Sequence, residues 1–235
     1  MPKNATASIA NEPATSEAEL RAEKLIRRQK RNLRKASAEG FLAGVAAMLR
    51  PGDLAIDCGA NVGVVTAVLA ETGADVIAYE PDPFAFGQLS ERFSGHPRVT
   101  LINAAVGTSS GTVRLMRAGN FDQNPKGASV KSTILPGGRA IDEAGGVNVP
   151  LLDFPEFLKG LFAEGREVAF LKMDIEGAEL DLLEALDRDG LLERVRVLVA
   201  ETHERKFPDQ RGRYRALRAA IASRYPAGRF NLDWI

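Results

Sequence analysis

The sequence predicts an α/β fold: a doubly wound, mostly parallel sheet with an N-terminal helical extension. Strand-length apolar runs such as 53–58, 168–174 and 196–200 alternate with helical stretches. Strands apolar throughout are buried on both faces, and helices must cover them. The first of these runs ends in Asp57-Cys58-Gly59-Ala60-Asn61-Val62-Gly63, which reads as strand, glycine turn and helix start. Gly59 and Gly63 give such a turn room for a sharp bend and for close approach of a ligand. Acidic or amide side chains then stand at the strand ends, at Asp57, Glu80, Asn103, Asp174 and Glu201. In parallel sheets ligands bind beyond the carboxyl ends of the strands.

Each element follows in order. Residues 1–16 are rich in Ala, Asn, Thr, Ser and Pro and are expected to be disordered. Glu17 to Ala38 has a helical pattern with sparse anchors at Leu20, Ile26 and Leu33. Its charge is lopsided, with Arg21, Lys24, Arg27, Arg28, Lys30, Arg31, Arg34 and Lys35 against Glu17, Glu19 and Glu23. A solvated helix leading into the domain is the reading adopted, with contact to RNA, an acidic lipid surface or a partner as alternatives. Phe41 to Leu49 reads as a buried helix stopped by Pro51-Gly52. The division expected is a tail and basic helix over 1–38 and a catalytic domain over 39–235.

Strands are expected over 53–58, 75–80, 99–105, 111–116, 168–174 and 196–200, with a final one over 230–235. Helices are expected over 62–71, 83–93, 154–162, 178–186 and 213–224. Pro83 at a first turn, and leucines at 180, 182, 183 and 186, carry two of these. Residues 117–147 are rich in Gly, Asn, Ser and Pro and read as a long loop or lid. Phe121, Asn124, Lys126, Ser129 and Lys131 are candidates for lining an acceptor site there.

Composition bounds the function. The chain has 235 residues, 45% of them apolar, enough for one domain with a full core. Lys plus Arg and Asp plus Glu both number 31, so no overall field favours nucleic acid. One cysteine, Cys58, excludes a disulfide framework and a cysteine zinc cluster, and it reads as packed rather than reactive. The longest apolar run, 41–49, is far short of the ~20 residues that span a bilayer. The N-terminus lacks the order of a secretory signal, so a cytoplasmic protein is expected.

The strand ends select a cofactor. A dinucleotide enzyme needs G-x-G-x-x-G, whereas Asn61 stands here in the middle-glycine place, after the acid Asp57. Asp57 would repel a pyrophosphate and suit an ammonium group. Glu80 stands at the end of the second strand, where an acid can accept from both hydroxyls of a ribose. Together these fit S-adenosyl-L-methionine, with its amino-acid head on the glycine loop and Asn103 and Ala104 flanking adenine.

Asp57 to Gly63 resembles motif I of class I S-adenosylmethionine-dependent methyltransferases. The blocks Tyr79-Glu80-Pro81-Asp82-Pro83, Asn103-Ala104-Ala105-Val106-Gly107, Lys172-Met173-Asp174-Ile175-Glu176-Gly177-Ala178-Glu179 and Glu201-Thr202-His203 resemble, in order, landmarks of the FkbM-type family. The resemblance covers roughly residues 40–205. It implies a Rossmann-like methyltransferase fold and O-methylation of sugars or secondary metabolites. The basic helix has no counterpart, and the last hairpin of the usual sheet looks shortened.

The expected cofactor residues are Asp57, Gly59, Ala60, Asn61, Gly63, Glu80, Pro81, Asn103, Ala104 and Asp174. The expected catalytic cluster is Asp174, Glu176, His203 and Lys172. A hydroxyl is a poor nucleophile until a base takes its proton. His203 or Asp174 is the expected base, with Glu176 positioning the acceptor. The adopted reading is metal-free; its rival is a divalent ion on Asp174, Glu176 and Glu201 or His203. Lys172 lacks the neighbours of a Schiff base and is expected to pair with an acid. His96 reads as a loop residue. The expected partner is a small hydroxyl acceptor, with no membrane span, no nucleic acid and a homo-oligomer as an option. Trp234 is expected to pack on the core or on a second subunit. The alternatives are an RNA methyltransferase using the basic helix and a non-catalytic cofactor-binding module.

Overall fold

A computed structural model describes residues 17–234 apart from 122, 124–128, 130, 131, 137–140, 205 and 227, with only the backbone of 141–145. The expected disorder of 1–16, and the acceptor candidates Asn124, Lys126 and Lys131, lie outside the described residues. The element order is α1 (Glu17–Met48), β1 (Leu54–Cys58), α2 (Val64–Ala70), β2 (Asp75–Tyr79), α3 (Pro83–Arg92), β3 (Val99–Ile102), β4 (Ala105–Gly107), β5 (Gly111–Ala118), β6 (Ile141–Asp153), α4 (Phe154–Ala163), β7 (Val168–Met173), α5 (Glu179–Arg188), β8 (Val195–Ala200), α6 (Arg211–Arg224) and β9 (Phe230–Asn231).

The main sheet runs β3-β2-β1-β7-β8-β9, and every pairing in it is parallel. The chain winds outward from β1 in one direction and from β7 in the other. The carboxyl ends of β1 and β7 therefore form the switch point, where a crevice opens. Alternation along β1 builds two cores. Leu54, Ile56 and Cys58 face one core with α4, α5 and α6, while Ala55 faces the other with α1 and α2. Phe170 and Val199 share that second core, and Trp234 packs there against Phe41 at 6.2 Å between ring centroids. Of the two places expected for Trp234, the structure uses the core.

Four expectations change. The two helices predicted over 17–49 are one, running unbroken through residues 38 and 39 and across Gly40 and Gly44. The predicted strand 99–105 is two, because the chain leaves the main sheet after Ile102 and joins a second one ordered β4-β6-β5. Part of the predicted loop 117–147 is strand: β6 pairs antiparallel with β5 and parallel with β4. Gly145 and Gly146 within β6 masked the alternation that marks a strand. The final strand, expected over 230–235, covers two residues and runs parallel to β8.

Helix α1 is docked over only part of its length. Ala38 and Leu42 are buried, with Phe41 and Val45 packed alongside, whereas residues 17–37 are exposed. Positions 24, 27, 31, 34, 38, 42 and 45 recur every three or four residues and form one stripe. That stripe is apolar where it meets the sheet and basic beyond, at Lys24, Arg27, Arg31 and Arg34. The opposite apolar residues, Leu25, Ile26 and Leu33, are exposed. Leu42→Ala should cost about 2–5 kcal/mol of unfolding free energy, and Leu25→Ala less than ~0.5 kcal/mol. Urea denaturation of the two variants measures both, and equal losses would contradict half-docking.

Candidate active site

The site begins beneath the glycine turn. Register sets Asp57 of β1 directly beside Lys172 of β7. Lys172 Nζ donates to the Gly59 carbonyl at 2.8 Å and lies 3.1 Å from Asp57 and 3.6 Å from Asp174. Asp57 also accepts from Thr66 Oγ1 of α2 at 2.7 Å. Burial acts to lower the Lys172 pKa, but the charges of Asp57 and Asp174 overcome it and raise it, so the ammonium is retained. Lys172 is therefore no proton acceptor here; it pairs with acids, and it pins turn to sheet. Asp57 is fully buried and committed to Lys172 and Thr66, below the cleft rather than in it.

The glycines clear space for the protein itself. Gly59 has φ +79°, and a Cβ there would sit 1.8 Å from the Asp174 carbonyl oxygen. A Cβ on Gly63 would meet Phe93 and Leu89. Close approach to a ligand, the role expected from sequence, is not what excludes side chains at these two positions. Cys58 is sealed in the core, and burial pushes its thiol pKa up, as packing predicts.

Glu80, at the end of β2, is 5% exposed. It accepts from the Asn61 amide at 2.7 Å and the Asp82 amide at 2.8 Å. Burial raises its pKa to about 7 despite those two bonds. Asn103 Nδ2 donates to the Glu80 carbonyl at 2.7 Å and the Pro81 carbonyl at 3.3 Å. Asn103 thus holds the Glu80 segment in place, with its amide nitrogen spent on backbone. Asp82, unremarked in the sequence beyond its block, caps α3 through Phe84 N–H and takes both Nε and an Nη of Arg117. An Asp before a proline at a helix start was the available signal. Ser132, from the segment predicted to be a lid, donates to Asp82, and Asn61 Nδ2 donates to Ser129. Phe121 instead packs on Phe84 and under Arg117.

A cleft of about 70 Å³ lies above this frame, lined by Gly59, Asn61, Glu80, Pro81, Ser129, Ser132, Asp174 and Glu176. Six of these were expected in the site; Ser129 was expected at the acceptor, and Ser132 was missed. Ala60 and Ala104 are buried, and Gly63, Asn103, Asp57 and Lys172 do not line it. Asn61 at φ 49° and Glu176 at φ 59° are the non-glycine residues of left-handed backbone among the described residues, and both line the cleft.

Past β7 a second cluster forms. Glu179, fully buried, accepts from the Ile175 amide at 2.8 Å and the Gly177 amide at 2.9 Å, and sits 3.1 Å from His203 Nδ1. It holds the turn that Glu176 distorts, and Thr133 Oγ1 adds a bond to the Glu176 carbonyl. Gly177 at φ +119° leaves room for the Phe207 ring. His203 Nε2 lies 3.2 Å from Glu176 and 3.8 Å from Glu201, and Glu176 also pairs with Lys206. Burial acts to lower the His203 pKa, but the bond to Glu179 and the surrounding carboxylates win and raise it to about 9. His203 is imidazolium at neutral pH, contrary to the role of base expected of it. Burial, then Asp174, pushes Glu201 up to about 7. Asp174, Glu176 and His203 bring one ligand-type atom each within 4.8 Å of one another, whereas the sequence reading offered Asp174, Glu176 and Glu201 or His203 for a metal.

A larger cavity of about 410 Å³ opens on the other side of His203. Glu201, His203, Lys206, Arg218 and Trp234 line it, and so does Arg34 from α1. The His203–Glu176 pair stands between the two cavities. Glu179→Gln should lower the His203 pKa from about 9, since the bond and the charge that most strongly oppose burial are removed. The shift is read by NMR titration of the imidazole; an unchanged value near 9 would refute this account of the charge.

The profile of the methyltransferase FkbM domain matches residues 57–225. Methyltransferase sdnD of Sordaria araneosa is 27% identical over 178 residues, 63% of this chain and 66% of that protein. The hexuronic acid methyltransferase AglP of Haloferax volcanii is 25% identical over 152 residues, 64% and 56% of the two chains. The 31-O-demethyl-FK506 methyltransferase FkbM of Streptomyces tacrolimicus is 28% identical over 179 residues, 66% and 67% of the two. The chain spans about two thirds or less of the length of these relatives. No helix of the described residues is long and apolar enough to cross a membrane.

Proposed function

The chain belongs to the methyltransferase FkbM domain family, and from that premise we propose that it moves a methyl group from S-adenosyl-L-methionine to a hydroxyl of a small molecule, a sugar or a secondary metabolite. One observation carries the cofactor: Glu80, Asp174 and Glu176 line the small cleft, and no Lys or Arg of the described residues does. That lining repels the phosphates of a dinucleotide and attracts a ligand bearing ammonium and sulfonium charges. Each Glu80 oxygen uses one lone pair on a backbone amide, which leaves acceptor capacity for a pair of ribose hydroxyls. The relative named for 31-O-demethyl-FK506 supports oxygen as the acceptor atom.

When bound, the cofactor supplies a methyl group open to in-line displacement. The protein orients the acceptor and takes its proton. The 410 Å³ cavity is in the size range of small-molecule sites. We assign the base to Glu201, which lines that cavity and has a pKa near neutrality. The His203 imidazolium stabilises the carboxylates on both sides of it, and Glu176 orients the acceptor. Lys206 and the His203 proton already balance the charge a divalent ion would meet at Glu176, so the mechanism is metal-free.

A carboxylate accepts from ribose hydroxyls, whereas a protonated one loses charge-assisted bonds of about 1.5–3 kcal/mol. Cofactor affinity should therefore fall as pH drops through about 7, and Glu80→Gln should bind roughly tenfold or more weakly at pH 8 with a flat pH profile. Calorimetry with S-adenosyl-L-methionine tests this; a steep profile surviving in the variant would refute the ribose role. Turnover should rise through pH 7, fall about 10²–10⁴-fold in Glu201→Gln and be unchanged by EDTA. A rise centred near pH 9 would return the base to His203, and loss of activity in EDTA would establish a metal.

A further inference from the structure

We propose that the acceptor carries an oxyanion group, a carboxylate or a phosphate, and that Arg34 of helix α1 binds it at the mouth of the larger cavity while the hydroxyl reaches Glu201. The proposal rests on the reading of that cavity as the acceptor site.

Its cations are not equivalent. Arg218 is held by Glu204 at 2.9 Å and by Asp233 at 2.9 Å. Lys206 is held by Glu176. The His203 charge is shared among Glu176, Glu179 and Glu201. Arg34 has no carboxylate partner among the described residues, yet it lines the cavity. An arginine is the side chain that grips a planar carboxylate or a phosphate with two parallel N–H bonds.

Placement of Arg34 is built into the fold. Ala38 and Leu42, one and two turns on, are anchored in the sheet core, so the helix carries Arg34 to the rim rather than leaving it on a loose tail. Arg31 and Lys24 continue the same stripe outward, about 4.5 and 15 Å further along the axis at 1.5 Å per residue. They raise the positive potential over the mouth and favour an anionic molecule on approach. The cavity favours a small acceptor over RNA: its aromatic side chain, Trp234, is buried edge-on against Phe41 and offers no open face for a base to stack on.

The full chain is titrated with inorganic phosphate and, separately, with acetate at constant ionic strength, followed by fluorescence of Trp234, the chain's single tryptophan. Saturable binding of at least one anion is expected, weakened at least tenfold in Arg34→Gln and unaltered in Leu25→Ala. Phosphate binding without acetate binding assigns the group to a phosphate, and the reverse to a carboxylate. No saturable change, or equal affinity in Arg34→Gln, overturns the proposal. A single-stranded RNA oligonucleotide that binds more tightly than either anion, and loses as much affinity in Arg31→Gln as in Arg34→Gln, also overturns it in favour of RNA. Calorimetry with S-adenosyl-L-methionine is independent: a wild type that binds the cofactor but neither anion sinks this proposal alone, whereas no cofactor binding in the wild type sinks the methyltransferase assignment of the cleft.

Discussion

Everything at the carboxyl edge of the sheet hangs on one buried ammonium. Lys172 joins Asp57 of β1, Asp174 beyond β7 and the Gly59 carbonyl, and so locks the two strands on either side of the switch point to the turn above them. Its charge is tolerated only because the two carboxylates are supplied by the strands beside it. A buried pair earns little net stability, but leaving one partner alone is costly. The register of β1 against β7 is thereby tied to the position of the cleft.

Two further residues give the edge its shape. Asn61 and Glu176 hold left-handed backbone without being glycine, a conformation that persists only when neighbours enforce it. Glu80 grips the amide of Asn61, and Glu179 grips the amides on both sides of Glu176. Each enforcing carboxylate also has chemistry attached: Glu80 faces the cleft, and Glu179 fixes the protonation of His203. Structural support and electrostatic tuning are here performed by the same atoms.

The local pattern carried much of this. Apolar runs located β1, β2, β7 and β8, and the leucines located α5, because burial on two faces or on one helical stripe is written into a few consecutive residues. Gly59, Asn61, Glu80, Pro81, Asp174 and Glu176 were legible as strand-end residues and do share a cleft. The strand β6 was not legible, since its glycines interrupt the alternation and its partners β4 and β5 are distant in sequence. Helix α1 was split in the reading because its pattern changes from basic to apolar, although the stripe itself never breaks.

From the sequence alone came the parallel α/β architecture, the acidic strand-end edge and the family resemblance, all of them consequences of local periodicity and of side-chain type at strand ends. Long-range packing settled the rest. It turned Asp57 and Asn103 inward to hold backbone and side chains, surrounded His203 with carboxylates so that it keeps its proton, and brought Arg34 from the N-terminal helix to the wall of a cavity at the other end of the chain. Those outcomes depend on charges and dipoles far apart in sequence and a few ångströms apart in space, and no local pattern records that distance.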